Sequence, residues 1–299
     1  MAFDVYQHVT DKIVAAIDQA LSWEKPWSNA FGAGGDLARP LNAITKRPYR
    51  GINVPLLWAA YAPTPYWATY KAWQEAGAQV RKGEKGSTII VWKQWTPKDG
   101  AGATADGEEP RARMMARAYS VFHAGQVDNW EAAPSAPAPL QPCFEPVAAV
   151  DAFVANTGAV VKHGGGRAFY IPSADYIQMP ERGHFTGSTT STAQETYYST
   201  LCHELTHWTG DKNRCNRDFS GRFGDKAYAF EELIAELGAA FLSADLMLRN
   251  APRADHAAYI KTWLSVLKND KRAIFTAASK AEQACTYLAQ LQQPAAIAA

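Results

Sequence analysis

Apolar residues near the N-terminus recur with a helical period, Val5, Val9, Ile13, Ile17 and Leu21. This stripe predicts one amphipathic helix over residues 3–22. Residues 23–50 mix Gly and Pro without a period and read as ordered loop. Short helices are expected over 54–61 and 69–76, the second ended by Gly77. The β-branched and aromatic run from Ser87 to Trp95 predicts a strand, with Arg117 to Phe122 as its returning partner and the polar stretch 98–112 as the hairpin loop. Between 131 and 145 lies AAPSAPAPLQP, Ala and Pro without hydrophobic periodicity, which is linker composition. Beyond it a helix is expected over 147–157, then short strands in HGGGRAFYIPSADYIQMP, broken by Gly and Pro. Helices follow over 193–208, 227–248, 259–269 and 273–290. The expected fold class is α+β in two domains: an α+β domain over 1–130, a linker over 131–145 and a helix-rich domain over 146–299.

Composition narrows the class. At 47% apolar and 20% charged, the chain has the balance of a globular protein with real cores. It has no run of about 18 apolar residues, so no membrane span is expected. Acidic residues within the helical N-terminus speak against a signal peptide. Cysteines 143, 202, 215 and 285 match neither a metal-ligand spacing nor a disulfide framework, and a reduced, cytoplasmic protein is the expectation. Charge is segregated. Residues 38–98 hold ten Lys/Arg against two acids, Glu75 and Glu84, a local +8; a total of +1 leaves −7 for the rest. A polyanionic partner for that segment alone would suit such a split.

The candidate chemistry lies in TLCHELTHWTG, residues 200–210. On a helix His203 and His207 share one face, one turn apart, and both imidazoles can reach one ion. Zinc accepts neutral imidazole nitrogen and carboxylate oxygen in a tetrahedral shell, and another divalent metal is an open alternative. Glu204 would stand beside the open position as the catalytic base, taking a proton from a water that the metal acidifies. Composition alone would produce H-E-x-x-H in roughly 1 chain in 100. The blander reading is two satisfied core histidines beside a surface glutamate. A third ligand is sought in AYAFEELIAELGAAFL, where Glu232 and Glu236 stand one turn apart among apolar residues. Carboxylates facing a core are costly unless paired or metal-bound. Glu232 is assigned to the metal, and Glu236 is expected to accept the N–H of a ligating histidine. Glu231 competes with Glu232, because helix phase read from sequence is uncertain by a residue. Tyr228 is a further candidate, as donor to an oxyanion.

HELTHWTG followed by YAFEELIAELGAAF resembles the zincin metallopeptidases of the glutamate-ligand, thermolysin-like type. A longer set is more specific: RPLNAITKRPYRGINVPLLW, VRKGEKGSTIIVW, YSVFHAGQVD, RAFYIPSADYIQMP and CHELTHWTG. Together these resemble the ArdC-type antirestriction proteins of conjugative plasmids, over about residues 3–290. The resemblance implies an N-terminal domain that binds single-stranded DNA and a zincin-like metallopeptidase domain after it. It also implies protection of incoming plasmid DNA from host restriction, in the cytoplasm of a recipient or donor bacterium. A related N-terminal domain occurs in plasmid primases, so that domain alone leaves the role open.

The basic segment agrees on its own terms. Single-strand binders combine cations that track phosphates with aromatics that stack on bases, each stacked base contributing roughly 1–3 kcal/mol. The DNA-binding candidates are Lys46, Arg47, Tyr49, Arg50, Lys71, Arg81, Lys82 and Lys85, with Arg39 and Lys93 in the same run. They interleave with Trp58, Tyr66, Trp67, Tyr70, Trp73, Trp92 and Trp95. Most of these aromatics are expected in the core and a few on the surface. Single-stranded DNA is thus the expected partner, with a host restriction protein or another protein as candidate substrate and no membrane. The alternative is a single-stranded-DNA-binding module whose metal site is structural and non-proteolytic. Such a site needs a fourth protein ligand, for which His184 and Cys202 are candidates. A metallopeptidase with an incidental basic face is the third possibility.

Overall fold

The computed structural model describes residues 4–19, 38–60, 62–95, 113–130, 145–185, 192–221, 225–248 and 256–292. Leu21, the stretch 98–112 and residues 131–144 of the expected linker lie outside them. The chain has a two-domain α+β architecture. Helix α1 (Val5–Gln19) is followed by β1 (Leu41–Asn42), α2 (Asn53–Trp58), β2 (Tyr66–Ala68), α3 (Tyr70–Glu75), β3 (Gln79–Val80), β4 (Ser87–Trp95), β5 (Arg113–His123) and β6 (Val127–Asp128). Thr69 caps α3 by accepting from the Ala72 amide at 3.2 Å, and Gly77, at φ +79°, turns the chain out of it. β4 and β5 form a long antiparallel ribbon from Ser87↔Val121 to Trp95↔Arg113. β5 therefore starts earlier than its hydrophobic pattern indicates, because pairing with β4 orders its basic, exposed end. The sheet runs β1-β2-β5-β4, with β3 and β6 as a separate pair.

The second half opens with α4 (Glu145–Thr157), then β7 (Val160–His163), β8 (Phe169–Ile171) and β9 (Tyr176–Met179), in sheet order β7-β9-β8. Four helices follow among the described residues: α5 (Ala193–Trp208), α6 (Lys226–Asp245), α7 (His256–Asn269) and α8 (Ala273–Gln290). A capping box starts α5, with Glu195 N donating to Thr192 Oγ1 at 3.2 Å and Thr192 N to Glu195 Oε2 at 2.7 Å. No helix among the described residues is long and apolar enough to cross a membrane.

The largest core does not stop at the Ala/Pro-rich stretch. The α1 stripe Val5, Val9, Ile13 and Ile17 is buried in one cluster with Trp58 and Ile90 and with residues of α5, α6, α7 and α8. Each such side chain contributes about 1.5–3 kcal/mol when fully buried. Polar contacts reinforce the seam. Arg39 meets Asp245 through Nε at 2.6 Å and Nη2 at 2.9 Å, and Glu282 through Nη1 at 2.8 Å, with its guanidinium over the Phe241 ring. Arg39 belongs to the basic run in sequence, yet it is a buried tie between the halves rather than a surface cation.

Candidate functional site

α5 and α6 bring the candidate metal residues together because they pack unusually closely. A Cβ on Gly238 of α6 would stand 2.6 Å from Thr206 Oγ1 of α5, so only glycine allows this approach. His203 Nε2 and His207 Nε2 are 3.1 Å apart, and one Glu232 oxygen faces each of them, at 3.5 and 3.4 Å. Among the described residues, His203, His207 and Glu232 are the one group of three donors close enough to share an ion. Neither His184 nor Cys202 joins them. Metal bonds of about 2.0–2.1 Å in a tetrahedral shell set neighbouring ligand atoms about 3.3–3.4 Å apart. The two nitrogens and the Glu232 oxygen that faces each of them sit near that spacing, and one atom from each residue comes within 4.8 Å of the others, so the donor set fits a divalent ion after a small closing of the side chains.

Carboxylates stand beside both outer nitrogens. His203 Nδ1 lies 3.1 Å from Glu236 Oε1, the residue expected beside a ligating histidine. His207 Nδ1 lies 3.1 Å from Glu231 Oε1. Glu231, the rival ligand in sequence, thus faces the outer nitrogen of one histidine. It is held there by Arg217, whose Nε reaches both Glu231 oxygens at 3.1 and 3.0 Å, while Nη1 donates to Thr209 Oγ1 at 2.8 Å. Arg217 comes from the turn after α5. Gly210 admits that turn, since a Cβ there would meet Phe219 Cε2 at 2.7 Å and Arg217 Nη2 at 2.9 Å.

Glu204, Glu231, Glu232 and Glu236 are all buried, and Arg217 is the buried guanidinium among them. Around neutral imidazoles this is an excess of negative charge that a divalent cation would offset. Burial disfavours a charged His207, but Glu231 and Glu232 outweigh it and push the imidazole up to about 10. Burial would raise the Glu232 carboxyl, yet His203 and His207 hold it well below the usual carboxylate range. The group opens onto a cleft of about 800 Å³ lined by Glu204 and Tyr228 as well as His203, His207 and Glu232. Phe169 and Tyr170 of β8 and Phe219 of the turn supply apolar wall. Sequence reasoning missed Arg217 and the Tyr170–Asp175–Arg214 network beside the cleft, in which Tyr170 OH donates to Asp175 Oδ1 at 2.9 Å and Arg214 Nη2 to Tyr170 OH at 3.0 Å. The arginines lie in a loop without periodicity, so no local signal marks them.

The cations of the N-terminal half behave differently. Lys46, Arg47, Arg50, Lys71, Arg81, Lys82 and Lys85 are all exposed, whereas Tyr49 is half-buried against a small core. Lys46, at φ +58°, places its ammonium over the Tyr66 and Trp130 rings. Lys71 pairs with Glu75 at 3.5 Å, and Arg81 with Glu84 at 2.9 Å and Asp128 at 3.4 Å. Lys93 lies over Tyr119. Trp58, Trp67 and Trp73 are fully buried, while Tyr70 and Trp92 are each 43% exposed. The Trp95 side chain lies outside the described residues.

Known proteins extend the picture. Residues 3–122 match the N-terminal domain of anti-restriction factor ArdC, and residues 148–280 match a zincin-like metallopeptidase family. Protein y4eC of Sinorhizobium fredii is 41% identical over 98% of this chain and 94% of its own length. A DNA primase TraC of Escherichia coli is 35% identical over 96% of this chain, which spans only 27% of that primase. The crystal structure of the antirestriction ArdC protein from the R388 plasmid, in its metal-free form, is 40% identical and covers 97% of this chain and 98% of its own, with a TM-score of 0.76. Its Mn(II)-bound form superposes with a TM-score of 0.71. The chain belongs to the ArdC antirestriction family, an ArdC-type N-terminal domain followed by a zincin-like metallopeptidase domain.

Proposed function

We propose that this chain binds single-stranded DNA through its basic N-terminal half and protects incoming plasmid DNA from restriction in the cytoplasm of a recipient or donor bacterium. It carries a divalent-metal site, zinc first, held by His203, His207 and Glu232. The observation that supports the metal site most strongly is the convergence of His203, His207 and Glu232, whose ligand atoms, one from each residue, lie within 4.8 Å of one another, with carboxylates beside both outer nitrogens. When bound, the ion would supply an electropositive centre that polarises a carbonyl and acidifies water. Glu204 lines the same cleft and is placed to accept a proton and pass it on. Tyr228, on the cleft wall, can donate to a developing oxyanion. Glu231 orients the His207 ring by a hydrogen bond, and Glu236 stands beside His203 to do the same. A cleft opening onto three donors favours a working site over a closed structural one, and a peptide of a host restriction protein or of another protein is the substrate class it suits.

The test compares plasmid transfer into a restricting host for wild type and Glu204→Ala at equal protein levels. Loss of protection with metal and DNA binding intact supports hydrolysis as part of the role. Full protection by the variant removes hydrolysis from it, leaving DNA occupancy to carry protection. Loss of metal from the variant would show that Glu204 is structural.

A further inference from the structure

A second cleft, of about 630 Å³, lies in the seam between the two halves. Its volume is in the small-ligand range of roughly 300–1,000 Å³. Arg50 and Trp92 line it from the N-terminal half, and α8 lines it from the other. Besides Phe275, Glu282 and Tyr287, α8 gives this wall Ser279, Gln283, Thr286 and Gln290, spaced i, i+4, i+7, i+11 on one helical face. All four are exposed, and none is charged. This stripe presents short donors and acceptors. Trp92, 43% exposed, is held edge-on to Phe275 at 6.4 Å and tilted against Tyr6 at 6.3 Å, so its indole is fixed before any ligand arrives. The carboxylate in the cleft, Glu282, is tied to Arg39 at 2.8 Å and faces Arg50 at 3.8 Å, which leaves the wall without uncompensated negative charge. Arg50 itself is 70% exposed and ends the basic loop Lys46–Arg50.

We propose that this seam cleft is a nucleotide subsite for single-stranded DNA: a base stacks on Trp92, its edge hydrogen-bonds to the neutral α8 stripe, and its phosphate faces Arg50. The inference rests on the single-strand-binding reading above and extends it to the second half of the chain. An open aromatic face, neutral donors and acceptors for base edges, and a cation continuous with a basic loop are the combination that single-strand binders use. An acidic peptide would meet the cation but would leave the stacking face without a partner. The 210–221 turn reaches both clefts, with Cys215 on the seam cleft and Phe219 on the metal cleft, so a strand bound in the seam lies against the segment that carries Arg217.

The test uses the full chain and a fluorescein-labelled oligo-dT at low salt. Gln283→Glu with Thr286→Glu puts two negative charges in the cleft on exposed positions. Ala152→Glu with Ala155→Glu puts the same charge on the exposed side of α4. The cleft pair should weaken binding by about tenfold or more, the loss of a stacked nucleotide, and the α4 pair by no more than about twofold. Photocrosslinking of the wild-type chain to a bromodeoxyuridine oligonucleotide should label peptides containing Trp92 or Tyr287. Equal affinities for the two pairs, or crosslinks confined to other peptides, overturn the subsite while the single-strand reading stands. A wild-type chain that binds no oligonucleotide overturns both.

Discussion

Charge does opposite things in the two halves of this molecule. In the N-terminal half the described cations of the basic run other than Arg39 stand exposed to water, Arg81 with its partners Glu84 and Asp128, while Trp58, Trp67 and Trp73 fill the core. In the zincin-like half four carboxylates and a guanidinium are buried around two imidazoles, with Glu231 bridging His207 and Arg217 and Glu236 beside His203. A buried charge must find a partner at a fixed distance or lose several kcal/mol. Geometry there is informative: His203, His207 and Glu232 are brought within reach of one ion. A solvated charge costs little wherever it points, so the basic face does not by itself commit to the path a polyanion would take. Arg39 marks the border between these regimes. It sits in the basic run by sequence and in the buried network by structure.

The comparison can be broken most severely at the metal donors. Glu232→Ala should weaken zinc or manganese binding by about a hundredfold or more, since a ligand matters more than the outer contacts that typically set 10–100-fold; retained affinity would transfer the ligand role to Glu231 or Glu236. The same site has a pH signature. Ligation needs a neutral imidazole, and His207 holds its proton from its usual 6.5 up to about 10. Metal affinity should therefore rise with pH through that window by up to about one decade per unit. Stability of the metal-free chain runs the other way, because a raised histidine stabilises fully below 6.5 and its contribution is lost as pH rises through about 10. Calorimetric metal titrations at several pH values would expose a flat profile if the imidazole is not the competing base.

Next in size are the buried arginines. Arg217→Ala leaves the buried Glu231 without its guanidinium, facing His207 alone of its named charged partners, and should cost about 3–5 kcal/mol in thermal or urea unfolding. Arg39→Ala should cost less, because Asp245 is 43% open to water. It should leave the salt dependence of oligonucleotide binding unchanged; a changed slope would return Arg39 to the DNA-binding face. The smallest effect is expected at the loop. Lys46→Ala with Arg47→Ala should leave the melting temperature in place and lower the salt slope of single-strand binding by about 1.4, the share of two phosphate contacts. An unchanged slope would place the strand elsewhere on the basic face.

The legible parts of this protein are the local ones. Helical spacing carries His203 and His207 to one face whatever surrounds them, and the bounds of α5 and β4 follow from residues 193–208 and 87–95 alone. The turn at Gly77 is equally readable, as chain-local chemistry. Glu232 and Glu236 could be picked out as carboxylates in an apolar helix. Which of Glu231 and Glu232 faces the donor triangle depends on the rotation of α6 against α5, and that is fixed by the Gly238–Thr206 contact between helices. Arg217 meets Glu231 across a loop, Arg39 meets Asp245 and Glu282 across more than 200 residues, and α1 joins helices at the opposite end of the chain. Sequence by itself determined the elements, the metal-type motif and the charge asymmetry, because each is set by neighbours along the chain. Tertiary structure alone decided which charges are buried, which aromatics stay open and where the halves meet, because burial and partnership depend on residues that only folding brings into contact.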